Sequence, residues 1–207
     1  MPPSDSPRGR GRPILSQPNL AAGRDRIAKV AEDLFRQEGV AGVSMRRLAL
    51  AAGCAPMTLY AYFDGKPAIL QRLWRGFFDE LFADLADRAA GVTEPHARLL
   101  EISRGYVRYW LDHPDRYRIA FMAEEVTPGE VEGFVSGGVL DQYSLFFTAL
   151  EPFEPDAAAR KVLYETLVCG LQGIAHNLVT VQGYDWERGE RLAGLLASAL
   201  ALSAERP

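Results

Sequence analysis

The sequence predicts an all-α protein of about nine helices, and three observations lead there. Apolar residues recur at three- and four-residue spacing along most of the chain. No stretch alternates apolar and polar residues as a half-buried strand does. Gly, Pro and Ser interrupt the pattern at intervals that suit helix ends, and no repeat of solenoid length is present.

The elements follow in order. Residues 1–20 are rich in Pro, Gly, Ser and Arg and lack periodicity, so they are expected to form a disordered basic arm. Ile27, Val30, Ala31, Leu34 and Phe35 mark one face of a first helix, about Arg24 to Glu38, which Gly39 ends as a left-handed cap. Ser44 is the N-cap of a short helix running to Ala51, and after Gly53 a second short helix starts with Pro56 in its first turn. Beyond Gly65 and Pro67, Ile69 or Leu70, with Leu73, Phe77, Leu81 and Leu85, form the stripe of one long helix. Thr93 with Pro95 opens the next, whose face holds Leu99, Ile102, Tyr106, either Tyr109 or Trp110, and His113, and Pro114 closes it. A shorter helix is expected around Tyr117 to Glu124, then a break at Pro128 and Gly129, then a helix holding Val139, Tyr143, Phe146, Phe147 and Leu150. Two more, about Pro155 to Val181 and Asp185 to Ala204, complete the chain.

The 207 residues are 48% hydrophobic and 24% charged, the balance of an ordinary globular protein, which excludes a disordered or disulfide-scaffold chain. No apolar run reaches the roughly 18 residues of a membrane span. Met1 to Pro13 lacks the apolar stretch of a secretory signal, so a cytoplasmic protein without a membrane partner is expected. Two distant cysteines, Cys54 and Cys169, fit a reducing compartment.

The net charge of −4 hides an asymmetry. Residues 1–75 carry 12 basic and 6 acidic side chains, a net +6, and residues 76–207 carry 11 and 21, a net −10. A basic end on an acidic remainder points to a polyanion met by one end only.

Ser44 to Lys66 is the most specific stretch. Two short helices that cross steeply need a small residue at the crossing and a turn residue tolerant of positive φ, and Ala49 and Gly53 supply them. Leu48, Ala52, Cys54, Leu59 and Tyr62 fall on the inner side of the pair, while Met57, Thr58, Tyr60 and Ala61 fall on the outer side of its second helix. An ordinary αα-hairpin shares the small residues. It has no reason to set the hydroxyls of Ser44, Thr58, Tyr60 and Tyr62 beside Arg46 and Lys66, a combination suited to phosphates.

The run Ser44-Met45-Arg46-Arg47-Leu48-Ala49, then Ala52-Gly53-Cys54, then Thr58-Leu59-Tyr60-Ala61-Tyr62-Phe63, then Lys66, resembles the DNA-binding domain of the tetracycline-repressor (TetR) family of transcriptional regulators. The resemblance spans Ala22 to Leu73. It implies that Ser44 and Arg46 hold phosphates from the first short helix, Thr58, Tyr60 and Tyr62 from the second, and Lys66 from the start of the long helix. It also implies that Ala55, Pro56, Met57 and Ala61 face base edges, and that Leu59 and Phe63 are core. The chain departs from the family in offering almost no hydrogen-bonding side chains at those reading positions. Readout then falls to apolar contact with thymine methyls, to Arg47 and to DNA shape. In the arm, Gly9-Arg10-Gly11-Arg12-Pro13 resembles an AT-hook core; Arg10 and Arg12 either read the minor groove or attract phosphates without selectivity.

The remainder is rich in aromatics, most of them core. Apolar clefts between bundle helices are common ligand sites, and the resemblance implies that these helices enclose a small-molecule effector. Phe77, Tyr106, Tyr109, Trp110, Phe121, Tyr143, Phe147, His176 and Asn177 are the candidate lining, with Tyr106, Tyr109, His176 and Asn177 as polar orienters; a flat or elongated hydrophobic ligand suits them. The segment Tyr106 to Met122 and Val168-Cys169-Gly170 also resemble one common class of TetR effector domain. The resemblance further implies a homodimer through the last two helices, with Leu167, Gly170, Leu171, Ile174, Leu195 and Ala199 on the pairing face, and hence an operator that is an inverted repeat.

His96, His113 and His176 show no metal-ligand spacing, and Cys169 and His176 lie two helical turns apart, too far for a nucleophile and its base. No cofactor or metal is expected, nor catalysis. The domains are expected to be the arm, residues 1–20; the helix-turn-helix, 21–66; and an effector-binding and dimerisation domain, 67–207. The function read from the sequence is a ligand-responsive regulator, most simply a repressor released from double-stranded DNA by its effector. The alternative is a helical enzyme or small-molecule carrier with a purely structural helix-turn-helix-like start.

Overall fold

The structure, a computed structural model, describes residues 17–123 and 140–204. Arg10, Arg12, Glu124, Val139 and the break at Pro128–Gly129 lie outside the described residues. Within them the chain forms nine helices and no strand: α1 (Gln17–Glu38), α2 (Met45–Ala51), α3 (Pro56–Tyr62), α4 (Lys66–Ala89), α5 (Pro95–Asp112), α6 (Pro114–Phe121), α7 (Leu140–Ala149), α8 (Ala157–Thr180) and α9 (Gly189–Ala204). None of these helices is long and apolar enough to cross a membrane.

Most helix ends follow their local chemistry. Ser44 Oγ accepts the Arg47 N–H at 3.1 Å, a cap worth about 1 kcal/mol. Gly53 at φ 66 turns the chain between α2 and α3 while Cys54 N–H bonds the Ala49 carbonyl at 3.0 Å. Four expectations shift. α6 begins at Pro114, in whose first turn a proline is at home, rather than near Tyr117. α1 begins at Gln17, well before Arg24, because Pro18 sits in the first turn where its missing N–H costs nothing. The cap of α5 is Glu94, not Thr93: its carboxylate accepts the His96 and Ala97 N–H groups, and these bonds hold the carboxyl below its usual pKa. The last helix starts at Gly189 rather than Asp185. Trp186 Nε1 donates to the Val181 carbonyl at 2.8 Å, holding the preceding residues in an irregular turn.

Two apolar centres result. In the head, Ile27, Ala31, Leu34 and Phe35 of α1 close on Val43, Leu48, Ala49, Leu59 and Phe63, all buried. In the body, α5 is central, between α4, α9 and α8, with Tyr106 and Trp110 fully buried on it. Each such large side chain contributes roughly 1.5–3 kcal/mol. The long α4 belongs to both, since Ile69 and Leu70 are buried near its start and Phe77, Phe78, Leu81 and Phe82 farther along.

Helix α6 pins the head to the body. Arg116 donates from Nε to Glu32 of α1 at 2.8 Å and from Nη1 to Glu80 of α4 at 2.9 Å, and its guanidinium lies 5.0 Å from the centre of the Phe77 ring. Trp74 of α4 donates to the Ile119 carbonyl at 3.1 Å. Asp25 of α1 and Arg72 of α4 form a further ion pair.

Candidate nucleic-acid interface

Helix α3 buries Leu59, lays Tyr62 against α1 and turns its other side chains outward or to the edge. Met57 is 78% exposed and Tyr60 51%, Ala55, Pro56 and Ala61 are exposed, and Thr58 is half-buried. The outward strip is therefore apolar and smooth, with the Tyr60 hydroxyl at its end. Leu59 and Phe63 are buried, as the sequence implies.

The polar residues around it have separate employments. Arg46 is exposed and makes no ion pair among the described residues. Ser44 is exposed and uses an oxygen lone pair in capping α2, which leaves its O–H to donate outward. Arg47 differs from the expectation of a base reader: its guanidinium donates to Glu38 at the end of α1, at 2.7 and 3.2 Å. Lys66 donates to the Val40 carbonyl at 2.9 Å, bracing the loop after α1, so part of its donor capacity is spent inside the head. Ser44, Arg46, Arg47, Leu50, Cys54 and Pro56 line one shallow groove, and Leu50, which the sequence reading passed over, is exposed there.

Tyr62 is turned inward. Its ring lies across Gly23 of α1 so closely that a Cβ on Gly23 would stand 2.5 Å from Tyr62 Cε1, and Arg24 Nε donates to the Tyr62 carbonyl at 3.0 Å. Gly23 and Arg24 thus hold the C-terminal end of α3 in place. Sequence reasoning missed both, although a glycine inside a helix costs about 1 kcal/mol relative to Ala and is itself a signal of close approach.

In the body, the candidate effector residues separate into groups. Tyr106, Trp110, Phe121 and Tyr143 meet in one aromatic cluster with Phe78, Phe82, Tyr117 and Phe146. A polar chain crosses it: the Tyr143 and Tyr106 hydroxyls are 3.3 Å apart, Tyr106 donates to Gln172 Oε1 at 2.7 Å, and Gln172 Nε2 donates to the Tyr117 hydroxyl at 2.9 Å. His176 Nδ1 lies 3.2 Å from that hydroxyl, at the rim. The other four correct the expectation. Phe77 and Tyr109 face Arg116, with the Tyr109 hydroxyl donating to the Phe77 carbonyl at 3.0 Å. Phe147 lies under Arg160 and meets Tyr164 edge to face, and Asn177 is exposed with its amide donating to the Gly173 carbonyl. Gln172 was missed, although it stands one residue from the buried Leu171 and three from the buried Ala175.

Burial pushes the Tyr106 hydroxyl well above its usual pKa and those of Tyr117 and Tyr143 up to about 12. No group of three or more potential metal ligands occurs among the described residues.

Of the candidate pairing residues, Leu167 and Leu171 are fully buried within the chain, and Gly170 lies against Leu196 of the same chain. These three are internal packing, a correction that follows from α8 being apolar on more than one face. Ile174 is half-buried, and Leu195 and Ala199 are exposed, as are Val162, Cys169 and Leu202 on the same two helices.

Residues 27–73 match the family of bacterial regulatory proteins described as tetR family. The chain is 31% identical over 155 residues to an HTH-type transcriptional regulator of Mycobacterium tuberculosis, covering 73% of this chain and 74% of that one. It is 32% identical over 76 residues to the HTH-type transcriptional repressor KstR2 of Rhodococcus jostii, 37% of each chain. Among solved structures, the fatty acid degradation regulator FadR of Bacillus halodurans shares the fold, with a TM-score of 0.67 at 16% identity over 86% of this chain and 94% of that one. With its helix-turn-helix matched by the family and its length by a regulator of the same kind, the chain belongs to the TetR family of transcriptional regulators, proteins that bind DNA and are not enzymes.

Proposed function

We propose that the protein is a homodimeric, cytoplasmic repressor that holds an inverted-repeat operator through two copies of α3 and releases it when a small hydrophobic or aromatic effector binds the body. The observation that carries the reading is the exposed outer strip of α3, Ala55, Pro56, Met57, Tyr60 and Ala61, beside Ser44 and Arg46. Met57 and Tyr60, 78 and 51% exposed among the exposed Ala55, Pro56 and Ala61, make this strip a contiguous apolar surface rather than one stray side chain. In this reading residues 21–66 are the DNA-binding unit and 67–207 the effector and dimer unit. Ser44, Arg46, Thr58, Tyr60 and Lys66 take phosphates, and the strip meets thymine methyls. Arg10 and Arg12 add contacts from the arm. The similarity to KstR2, a repressor, supports repression.

The dimer is supported by Val162, Leu195 and Leu202, which are 63, 60 and 58% exposed on the last two helices. Apolar side chains grouped on two neighbouring helices need a cover, and a second copy supplies one. An effector that favours a different spacing of the two heads lowers operator affinity by linkage, since α4 runs from head to body.

Gel retardation on DNA flanking the gene tests the reading. Binding by the wild type at low salt is expected. Leu195→Glu should sediment as a monomer and lose at least tenfold in affinity. A folded wild-type dimer that retards no flanking DNA overturns the proposed repressor of an operator beside its own gene, and a Leu195→Glu variant that stays dimeric overturns the interface.

A further inference from the structure

Residues 76–207 carry 11 basic side chains against 21 acidic ones, and four of those 11 line a single groove. The groove, of about 620 Å³, lies between α5 and α9, which pack on each other. Arg104 and Arg108 enter it from α5, one helical turn apart, and Arg188 and Arg191 from the start of α9. Glu101, Glu187 and Glu190 share it, so the lining is net positive within a region whose net charge is −10.

The four arginines are held to different degrees. Only the backbone of Arg188 is engaged, and its guanidinium has no partner among the described residues. Arg104 Nη1 stands 3.9 Å from Glu101, beyond a hydrogen bond. Its guanidinium rests on α9 at the buried Gly194, where a Cβ would come within 3.1 Å of Arg104 Nε. Glycine inside a helix is unfavourable, and here it leaves room for that guanidinium. Arg108 pairs with Glu190 across the two helices, and Arg191 with Glu187 at 3.0 Å. Water reaches both pairs, so a bound anion competes with them on nearly equal terms.

We propose that this groove binds a small dianion, a phosphate monoester or a dicarboxylate, with Arg188 and Arg104 as its open donors and Arg108 exchanging Glu190 for the ligand. The planar fork of arginine matches both oxyanions, two N–H groups to two oxygens. Charge selects the dianion. A monoanion that replaces Glu190 on Arg108 gains little, whereas a second charge also engages the guanidinium of Arg188. The site does not depend on the hydrophobic effector, since no residue of the aromatic cluster lines it. Leu195 also lines the groove, which therefore borders the proposed dimer face, but the donors required, Arg104, Arg108 and Arg188, are not pairing residues.

The test is calorimetry on the full chain in mildly alkaline buffer at constant ionic strength, with inorganic phosphate, succinate and acetate as probes. One phosphate or one succinate should bind per chain, and acetate about tenfold more weakly, for want of a second charge-assisted contact. Whichever dianion binds more tightly names the source, phosphate ester or dicarboxylate. Arg188→Ala, which removes no ion pair, and Arg104→Ala should each weaken the dianion about tenfold or more, the worth of a hydrogen bond to a charged group. Glu190→Gln should tighten it about two- to fivefold, because Arg108 then lacks a competing carboxylate. Arg46→Ala, in the head, should leave it unchanged. No saturable binding of either dianion by the folded wild type, acetate bound as tightly, or weaker binding by Glu190→Gln overturns the proposal. Loss of binding in Arg46→Ala places the anion on the DNA face and overturns it equally.

Discussion

In the head, arginine and lysine side chains reach across to the chain's own carboxylates and carbonyls: Arg47 to Glu38, Lys66 to Val40, Arg24 to Tyr62, Arg72 to Asp25. In the body, the equivalent work is done by rings at steep angles, Tyr106 and Trp110 at 74° and Phe82 and Tyr143 at 70°. The contrast teaches how to read a basic segment. A net charge of +6 in residues 1–75 does not mean that each cation awaits a phosphate, since several are already spent on fixing the geometry of α3. Arg46 is a cation left facing outward, and in the proposed interface it carries more of the salt dependence than the count of arginines implies.

The largest effect that separates the two regions is expected in alkali. Tyr109, Tyr117 and Tyr143 of the body titrate near 12 because burial disfavours their charged forms, whereas an unfolded tyrosine titrates near 10. A raised folded-state pKa means that stability is fully present below pH 10 and is lost as pH rises from 10 to 12. Urea unfolding at a series of pH values should show the body's transition moving to lower denaturant over that window. A body transition unmoved between pH 10 and 12 would show that these hydroxyls reach water.

Gly23→Ala tests the clamp on α3. Alanine in a helix is ordinarily an improvement of up to about 1 kcal/mol, but here its methyl meets the Tyr62 ring, and overpacking of this kind costs about 1–3 kcal/mol. Loss of stability together with at least a tenfold loss of operator affinity is expected, whereas Tyr62→Phe should keep both. If Tyr62→Phe weakens DNA binding as much as Gly23→Ala does, the hydroxyl touches phosphate and the clamp is secondary.

The smallest effect divides two neighbours. Arg46→Ala should lower the slope of log affinity against log salt by about 0.9 per DNA-bound head. Arg47→Ala should leave the slope alone and cost the head about 0.5 kcal/mol from its half-exposed pair with Glu38. Equal slopes for the two variants would return Arg47 to the interface.

Much of this was legible in the residues. The Ser44 cap, the Gly53 turn and the burial of Leu48 and Leu59 follow from rules acting over four or five positions. What escaped involves partners distant along the chain. Glu38 is nine residues from Arg47, Val40 is 26 from Lys66, and Gly23 is 39 from Tyr62, so no local pattern joins them. The body misled for another reason: α8 is apolar on several faces, and periodicity alone does not say whether Leu167 and Leu171 or Val162 and Cys169 look inward. Phe77 and Phe78 show the same ambiguity in two adjacent rings, one beneath Arg116 and the other in the aromatic cluster.

His113 is at once the last cap of α5 and the residue that precedes α6, with Pro114 directly behind it. No linker intervenes, so the joint has no slack. One flank of α6 is bolted to the head through Arg116 and another is seated in the ring cluster through Tyr117 and Phe121. A displacement on the ring side therefore has no spare backbone in which to dissipate before it strains the bolt. Head and ring cluster are thus geared through the two ends of one rod only eight residues long.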